Sequence, residues 1–166
     1  AVIALENVRR FREVQTRLLR EKASSDILTM ISKSREDEAP VFDLILKQAA
    51  SLCNADAAAL AMGQIGDAYQ TMEASYDLDT ATIKVYDDGL VAMDPEKSVG
   101  ARAIVTGKTV HIHDMSETEA YKSGLSVFVS VVEETGIRTN LLVPLITGAG
   151  AIGVLILFRK EVKPYT

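Results

Sequence analysis

Residues 140–160, NLLVPLITGAGAIGVLILFRK, decide the fold of this chain. Two apolar runs, 141–146 and 151–158, flank a Thr-Gly-Ala-Gly segment. Because glycine tolerates a positive φ, this segment predicts a tight turn between two strands. Strands this apolar usually lie in the middle of a sheet, where neither face meets water. The stretch therefore predicts a β-hairpin at the centre of a sheet.

The composition is that of an ordinary soluble domain. Of the 166 residues, 48% are hydrophobic and 25% are charged. A chain of this size buries roughly 70% of its surface on folding and needs no disulfide. Its longest apolar run, 149–158, is half of the ~20 residues that a membrane helix requires. The first residues, AVIALENVRR, lack the basic region and cleavage site of a signal peptide. We therefore expect a cytoplasmic location and no membrane insertion.

Charge is unevenly distributed along the chain. Residues 1–35 carry a net charge of +4, and residues 36–166 carry a net charge of −9. A nucleic-acid-binding domain needs a basic patch on its globular part. Because the globular part of this chain is acidic, we expect no nucleic-acid partner.

The first 35 residues predict one long helix, since no Gly or Pro precedes Pro40. An apolar stripe recurs at helical spacing and is flanked by arginines. The stripe consists of Leu5, Val8, Phe11, Val14 and Leu18. A stripe that no core covers requires a partner, most simply the same helix of a second copy. We therefore predict a homodimer through this helix; the alternative is that the helix packs on its own domain.

The middle of the chain predicts short helices and strands. Ser98 is a good N-cap for one of the helices, and Gly107 is a good terminator for it. The order of the elements predicts an α+β fold with a largely antiparallel sheet of five or six strands. The predicted elements are a charged loop at 34–39, helices at 40–53, 98–105 and within 117–134, and strands at 57–62, 68–75, 82–86 and 109–112.

Several stretches resemble the GAF domain, a small-molecule sensor module common in bacterial signalling proteins. SVGARAIVTGKTVHIHD (98–114) is similar to the family's short helix, Thr-Gly turn and strand ending in Asp. GIRTNLLVPLITGAGAIGVLILFRK (136–160) is similar to its Gly-Ile-Arg entry and two following strands, and VKPYT (162–166) to the segment before its last helix. DILTMISKS (26–34) and PVFDLILKQAASLCNADAAAL (40–60) resemble its opening helices and first strand. The resemblance implies a GAF-like (PAS-like) central antiparallel sheet with helices packed on one face and a long N-terminal helix.

The resemblance also implies how the domain is bounded. AVIALENVRRFREVQ (1–15) is similar to the closing half of the family's last helix. We expect residues 1–35 to be a connector, with 1–20 as the exit helix of an upstream GAF domain, and residues 36–166 to be a GAF domain without its C-terminal helix. The parent protein would be a tandem array, such as a sensor histidine kinase or a nucleotide cyclase, whose output domain receives a signal through the flanking helices. The N-terminal helix would either pack where the missing helix belongs or dimerise in its place.

By resemblance, any ligand lies between the sheet and residues 76–135. The candidate ligand-binding residues are Tyr76, Val99, Val110, Ile112, Tyr121, Phe128, Thr139 and Val143. Such pockets are mostly apolar with a few polar groups, and the alternative for each candidate is a plain core position. Residues 77–97, which help to close the pocket in the family, depart from the family's pattern. The ligand and any cofactor are therefore left unknown by the sequence.

The two histidines have a metal-binding interpretation. His111 and His113 project to the same face of a strand and, with Asp114 or Asp94, would begin a metal site. No third ligand has a fixed spacing, so we predict no metal.

Two arginines have a similar double interpretation. Arg102 and Arg138 would bind an anionic ligand or pair with Asp114, and the structural ion pair is the favoured interpretation.

The sequence argues against an enzyme. GAF-like reductases of free methionine sulfoxide use several cysteines, and this chain has Cys53 alone. The cysteine of bilin-binding GAF domains has no counterpart in 76–135, and the Asn-Lys…Phe…Asp-Glu signature of cyclic-nucleotide GAF domains is missing. No Ser/His/Asp grouping or phosphate-binding loop is present. We predict a regulatory small-molecule-sensing or dimerisation domain with no catalytic residues; the alternatives are a structural module without a ligand and a redox enzyme.

Overall fold

The computed structural model describes residues 2–33 and 39–166. They form two compact units that divide between residues 38 and 39. The first unit is helix α1 (Val2–Lys33), which confirms the predicted long N-terminal helix. Its described side chains, at residues 3–17 and 20, are exposed. The predicted loop at 34–39 lies outside the described residues, except for Ala39. The side chain of Leu18 also lies outside them.

The second unit contains five α-helices, one 3-10 turn and five strands between residues 39 and 166. In chain order they are α2 (Ala39–Cys53), β1 (Ala57–Met62), β2 (Thr71–Tyr76), α3 (Thr80–Asp87), α4 (Val99–Thr106), β3 (Val110–Ile112), the 3-10 turn (Met115–Glu117), α5 (Glu119–Lys122), α6 (Ser126–Thr135), β4 (Thr139–Thr147) and β5 (Gly150–Arg159).

The strands form one antiparallel sheet in the order β2-β1-β5-β4-β3. The hairpin predicted from residues 140–160 is β4 and β5, and β5 is the middle strand of the sheet. Gly150 begins β5 with φ +115°, a conformation that glycine adopts without steric cost. The α+β fold with a five-stranded antiparallel sheet is therefore confirmed.

The two faces of the sheet are covered by different parts of the chain. Helix α2 packs against β1 and β2, and it buries Phe42, Leu46 and Ala50. The opposite face packs against α4 and α6 and forms the main hydrophobic core. Strand β1 has the sequence AAALAM, and its small side chains let helices approach closely. The segment between β2 and β4 therefore lies over the face that α2 leaves free.

The strand predicted at 82–86 is wrong, because these residues lie in helix α3. Their β-branched side chains favoured a strand. However, Thr82, Val85 and Tyr86 also have the i, i+3, i+4 spacing of one helical face, and all three are buried or half-buried. Burial of that face decides in favour of the helix.

Two further predicted boundaries are wrong. The single helix predicted within 117–134 is divided into the 3-10 turn, α5 and α6. Gly124 has φ +78° just after α5, and this left-handed conformation ends the helix. The strand predicted at 68–75 begins only at Thr71, because Tyr69 bridges to Ala92 instead.

Candidate functional site

A cavity of about 70 Å³, partly open to solvent, lies between the sheet and helices α3, α4 and α6. Its sheet wall is formed by alternate residues of β4 and β5, and the other walls come from the segment between β2 and β4. The lining residues are Asn140, Leu142, Ile156 and Phe158 on the sheet, Thr82, Val85, Tyr86, Leu90 and Val91 on α3 and the following loop, Lys97, Ser98, Val99 and Gly100 at the start of α4, Met115, and Val127, Phe128 and Val131 on α6.

The walls are mainly apolar and aromatic, as in most small-molecule sites. Among the lining residues, Lys97 is the one that carries a charge. Its side chain is 65% exposed, and its ammonium group lies 3.4 Å from a carboxylate oxygen of Asp94. The charge therefore lies at the mouth of the cavity and is already paired.

Two buried oxygen atoms on opposite walls lack a hydrogen-bond partner within the described residues. Asn140 is 5% exposed; its Nδ2 donates to Met115 Sδ at 3.5 Å, while its Oδ1 is unpaired. Thr82 is 2% exposed, and its Oγ1 is unpaired. Leaving such a group buried and unpaired costs about 1–3 kcal/mol. Two residues of the cavity walls therefore each have a buried polar atom that the described part of the protein does not satisfy.

Tyr86 adds a third polar group to the lining. Burial of its phenol raises the pKa of Tyr86 to about 12, so the ring is neutral at physiological pH. The Tyr86 hydroxyl makes no hydrogen bond in the part of the chain that the structure describes, and it is free to donate or accept one.

The N-terminus of α4 forms another part of the wall. Ser98 caps the helix by accepting a hydrogen bond from Ala101 N at 3.2 Å, and it also accepts one from Gln70 Nε2 at 2.8 Å. Neither Val99 N nor Gly100 N donates a hydrogen bond among residues 2–33 and 39–166. A Cβ on Gly100 would lie 2.5 Å from Gln70 Oε1, so a side chain does not fit there. This helix end therefore offers two free N–H groups and a positive dipole end.

Two of the eight predicted site residues line the cavity. These are Val99 at the start of α4 and Phe128 on α6, which are 8% and 6% exposed. Val110 and Ile112 lie on the neighbouring strand β3, opposite Leu142 and Asn140, and pack against the core without lining the cavity.

The other four predicted residues lie away from the cavity. Thr139 and Val143 alternate with the lining residues of β4 and therefore face the other side of the sheet. Tyr76 ends the edge strand β2, and the Tyr121 hydroxyl donates a hydrogen bond to Glu133. Contact of any of these residues with a ligand stays a prediction.

The cavity residues that the sequence reasoning missed had two recognisable signals. Asn140 is a polar residue that begins the most apolar stretch of the chain, and Leu142 has the same parity. Thr82, Val85 and Tyr86 have helical spacing, which the assignment of a strand concealed.

Arg138 and Asp114 form the expected structural ion pair. Arg138 Nε donates to Asp114 Oδ1 at 2.9 Å, and Nη2 donates to Oδ2 at 2.7 Å. The hydrogen bonds from Arg138, with smaller ones from Ser116, lower the pKa of Asp114 to about 2. Arg102 Nε donates instead to the carbonyl of Pro95 at 3.3 Å.

The two histidines lie at the edge of the sheet. Their ring centroids are 4.5 Å apart, and His111 Nε2 accepts a hydrogen bond from Tyr165 N at 3.0 Å. Burial, and then the charges of His113 and Arg159, lower the pKa of His111. Within the described residues no group of three or more His, Cys, Asp or Glu side chains is positioned to hold a metal ion.

Arg159 connects the residues just before β1 to the segment that follows β5. It is 6% exposed, and its guanidinium lies 3.8 Å from the centre of the Tyr165 ring. The guanidinium donates hydrogen bonds to the carbonyls of Cys53, Asn54, Lys163 and Pro164. The segment after β5 is therefore fixed by several contacts.

In the described helices, no stretch is both long enough and apolar enough to cross a membrane.

Comparison with curated proteins gives no match. Solved structures with a similar fold include the GAF domain of a phosphoenolpyruvate-protein phosphotransferase from Acinetobacter, with 15% identity, a TM-score of 0.60, and coverage of 89% of this chain and 81% of the other. A domain assigned to a two-component sensor histidine kinase of Sinorhizobium meliloti has 14% identity, a TM-score of 0.59, and coverage of 80% and 79%. The type II free methionine-R-sulfoxide reductase of Thermoplasma acidophilum has 14% identity, a TM-score of 0.57, and coverage of 79% and 80%.

At these identities the structural likeness shows the fold alone. The family model for the GAF domain, however, matches residues 37–166, which include the whole sheet and the cavity. The chain therefore belongs to the GAF domain family.

Proposed function

We propose that this domain is a regulatory, small-molecule-sensing module of a bacterial signal-transduction protein. The observation that supports it is the cavity between the sheet and helices α3, α4 and α6, whose walls are mainly apolar and aromatic, as in most small-molecule sites. Thr82 and Asn140 on these walls each have a buried oxygen atom without a hydrogen-bond partner among the described residues.

A ligand in this cavity would act on the rest of the protein by stabilising one conformation over another. Thr82 and Tyr86 are on α3, whereas Asn140 is on the sheet, so a ligand that contacts both walls fixes the position of α3. A ligand shifts an equilibrium only by its differential affinity for the two states. The shift would pass through the flanking helices to an output domain, which we propose to be a histidine kinase, as in the parent protein of the Sinorhizobium domain.

Helix α1 is the proposed dimerisation element. Its apolar side chains are exposed, with exposed fractions of 72% for Leu5, 49% for Val8 and 62% for Phe11. Burying such a stripe between two copies removes apolar surface from water. We propose a cytoplasmic homodimer. We propose no nucleic-acid partner, because the globular part is acidic, and no membrane-inserted segment in this chain.

The dimer is tested by sedimentation velocity. The triple variant Leu5→Glu, Phe11→Glu, Leu18→Glu should be monomeric at a concentration at which wild type is dimeric. Glu13→Lys is the control, since Glu13 is exposed on α1 on the side away from the stripe. A triple variant that sediments like wild type would show that α1 does not hold the copies together.

Sensing is tested by a thermal-shift screen of metabolites and fragments. A ligand at 100 times its Kd stabilises the folded state by about 2.7 kcal/mol. Val127→Trp places a bulky ring on the cavity wall and should abolish the shift, whereas Val129→Trp, on the same helix and equally half-buried but outside the lining, should keep it. Equal shifts in the two variants would mean that the ligand does not occupy the cavity.

The size of the cavity favours a second candidate function, a structural module that binds no small molecule. At about 70 Å³ the cavity is roughly half of one that admits benzene, which measures about 150 Å³. On this alternative the domain supports dimerisation only. A screen in which no compound shifts the melting temperature, together with an intact dimer, would favour it.

The third alternative, a redox enzyme, is suggested by the likeness to the Thermoplasma reductase. Cys53 is the single cysteine of the chain, and it ends α2 instead of lining the cavity. Without a second cysteine it has no intramolecular resolving partner. We therefore propose that the domain is not an enzyme. Turnover of free methionine sulfoxide that is lost on Cys53→Ser would contradict this.

A further inference from the structure

The segment after β5 packs against strand β3, which lies at the edge of the sheet. Tyr165 N donates a hydrogen bond to His111 Nε2 at 3.0 Å, and the centres of the two rings are 5.8 Å apart. A histidine nitrogen that accepts a hydrogen bond carries no proton, so this contact requires a neutral His111 ring. The protonated ring has two donors and no acceptor, and it cannot hold the Tyr165 amide.

The surroundings of His111 are unfavourable for a positive charge. The buried Arg159 guanidinium comes from β5 and lies 3.8 Å from the centre of the Tyr165 ring. His113, which follows β3, has its ring centre 4.5 Å from that of His111, and β4 places the apolar Leu141 opposite His111. Burial, and then the charges of His113 and Arg159, lower the pKa of His111. A proton on this ring therefore opposes the attached conformation.

Other ionisable groups near this contact are engaged elsewhere. Glu161 and Lys163, in the same segment, form an ion pair at 3.8 Å. Burial raises the pKa of the Tyr165 phenol, and Cys53 and Asp56 raise it further. The buried hydroxyl of Tyr165 has no hydrogen-bond partner among the described residues. The Tyr165 side chain therefore adds no hydrogen bond that would hold this segment.

The residues just before Tyr165 are held by different contacts. Lys163 N donates to Thr139 Oγ1 at 3.0 Å, and the Lys163 carbonyl accepts from the Arg159 guanidinium. A hydroxyl and a guanidinium keep their protons throughout the physiological pH range. Loss of the His111 contact would therefore release Tyr165 and leave Lys163 attached.

We propose that His111 is a pH switch for the segment after β5, which holds Tyr165 against β3 when neutral and releases it when protonated. Because the pKa of His111 is lower in the attached state, the contact is fully stabilising above the ordinary value of 6.5 and weakens as the pH falls below it. One proton is taken up on release, so each pH unit below 6.5 shifts the equilibrium by at most about tenfold. This inference goes beyond the proposed sensing function and needs no ligand in the cavity.

NMR spectroscopy of the full chain between pH 8 and pH 5 tests the switch. In wild type the His111 ring and the Tyr165 amide should titrate with one common midpoint, below 6.5. The backbone order parameter of Tyr165 should fall from about 0.85 to below about 0.6, while that of Lys163 stays high. An unchanged order parameter at Tyr165 would overturn the inference, as would an equal fall at Lys163.

Two matched substitutions identify the titrating group. His111→Gln should abolish the transition, because its amide does not titrate in this range and its oxygen can still accept the Tyr165 N–H. His113→Gln is the control, since His113 is exposed and its ring makes no hydrogen bond to Tyr165 within the described residues. The control should keep the transition, with a higher midpoint because one positive charge is removed. Persistence of the transition in His111→Gln, or its loss in His113→Gln, would overturn the inference.

The coupling between His111 and Tyr165 must also be reciprocal. Tyr165→Ala weakens the attachment and exposes the His111 ring, so the His111 midpoint should rise toward 6.5. Tyr165→Phe lacks only the unpaired hydroxyl and should keep the midpoint near that of wild type. Equal His111 midpoints in Tyr165→Ala and wild type would overturn the inference. The proposed sensing function would stand in that case, because it rests on the cavity.

Discussion

Replacing Asp114 by Asn should remove an ion pair that connects the segment after β3 to the residue before β4. The hydrogen bonds from Arg138 lower the pKa of Asp114 from 3.8 to about 2. A pKa shift of that size corresponds to a contribution of about 2.5 kcal/mol to the free energy of unfolding. The Asp114 side chain is 16% exposed, but that of Arg138 is 37% exposed, so solvent screens part of the interaction. We expect Asp114→Asn to lower the free energy of unfolding by about 1–2 kcal/mol at pH 7.

The pH dependence of this effect has a definite sign. Because the pKa of Asp114 is lower in the folded protein, its contribution is fully present above the ordinary value of 3.8 and is lost as the pH falls through about 2. The difference between wild type and Asp114→Asn should therefore shrink to about half near pH 3. Urea unfolding at pH 7, 5 and 3 measures it. Asp43→Asn is the control, since Asp43 is exposed on α2 and makes no hydrogen bond in the described part of the chain. A difference below about 0.5 kcal/mol at pH 7, or one that does not change between pH 7 and pH 3, would refute this reasoning.

Three other substitutions have clear expected outcomes. Gly100→Ala should lower the free energy of unfolding by about 1–3 kcal/mol in urea, because the new methyl group overlaps the buried glutamine amide behind α4, whereas Gly148→Ala, with nothing within 4 Å, should be neutral. The neutral Nε2 of His111 accepts a hydrogen bond from the Tyr165 amide, and the pKa of His111 is lowered in the folded protein. Lowering the pH below 6.5 therefore favours the opened state, in which His111 takes up a proton more readily, and should weaken the hydrogen-exchange protection of that amide. His111→Gln should lose this pH dependence. Arg159→Met should cost about 3 kcal/mol or more, since several hydrogen bonds from one charged group are lost together.

Each of these expectations has a result that would contradict it. Equal stability of Gly100→Ala and Gly148→Ala would mean that the wall behind α4 is not closely packed. A protection factor at Tyr165 that is the same at pH 7.5 and pH 5.5 would mean that His111 does not hold that amide. An Arg159→Met protein as stable as wild type would mean that water replaces the guanidinium without loss.

The fold was largely predictable because several signals agreed. The apolar runs of residues 140–160 could form only buried strands, and β4 and β5 are the longest strands of the sheet. Ser98 and Gly107 mark the two ends of α4 in the sequence, and Gly107 has the left-handed conformation expected of a helix terminator. Local preference and burial favoured the same structure at these positions.

The candidate site was less predictable, because it depends on contacts between distant segments. The β-branched residues of α3 favour a strand by themselves, and the burial of the face that holds Thr82, Val85 and Tyr86 decides for a helix. On β4 the sequence indicates that alternate residues share a face, but it does not show which set faces the cavity. Thr139 and Val143 are therefore the predicted residues of this strand, whereas Asn140 and Leu142 line the cavity.

The position of Arg159 has a mechanical consequence. Residue 56 enters β1 and residue 159 leaves β5 at the same end of an antiparallel pair, whose last rung joins Ala57 to Phe158. Tension applied between α2 and the segment after β5 would therefore break the hydrogen bonds between the two strands one at a time. It would not load all of these hydrogen bonds at once. The Arg159 guanidinium connects the residues before β1 to the residues after β5, just outside the first of those hydrogen bonds. Asp56 connects them as well, because its Oδ2 accepts a hydrogen bond from Lys160 N at 2.8 Å. The resistance of this sheet to a pulling force at these two points therefore depends first on these two side chains.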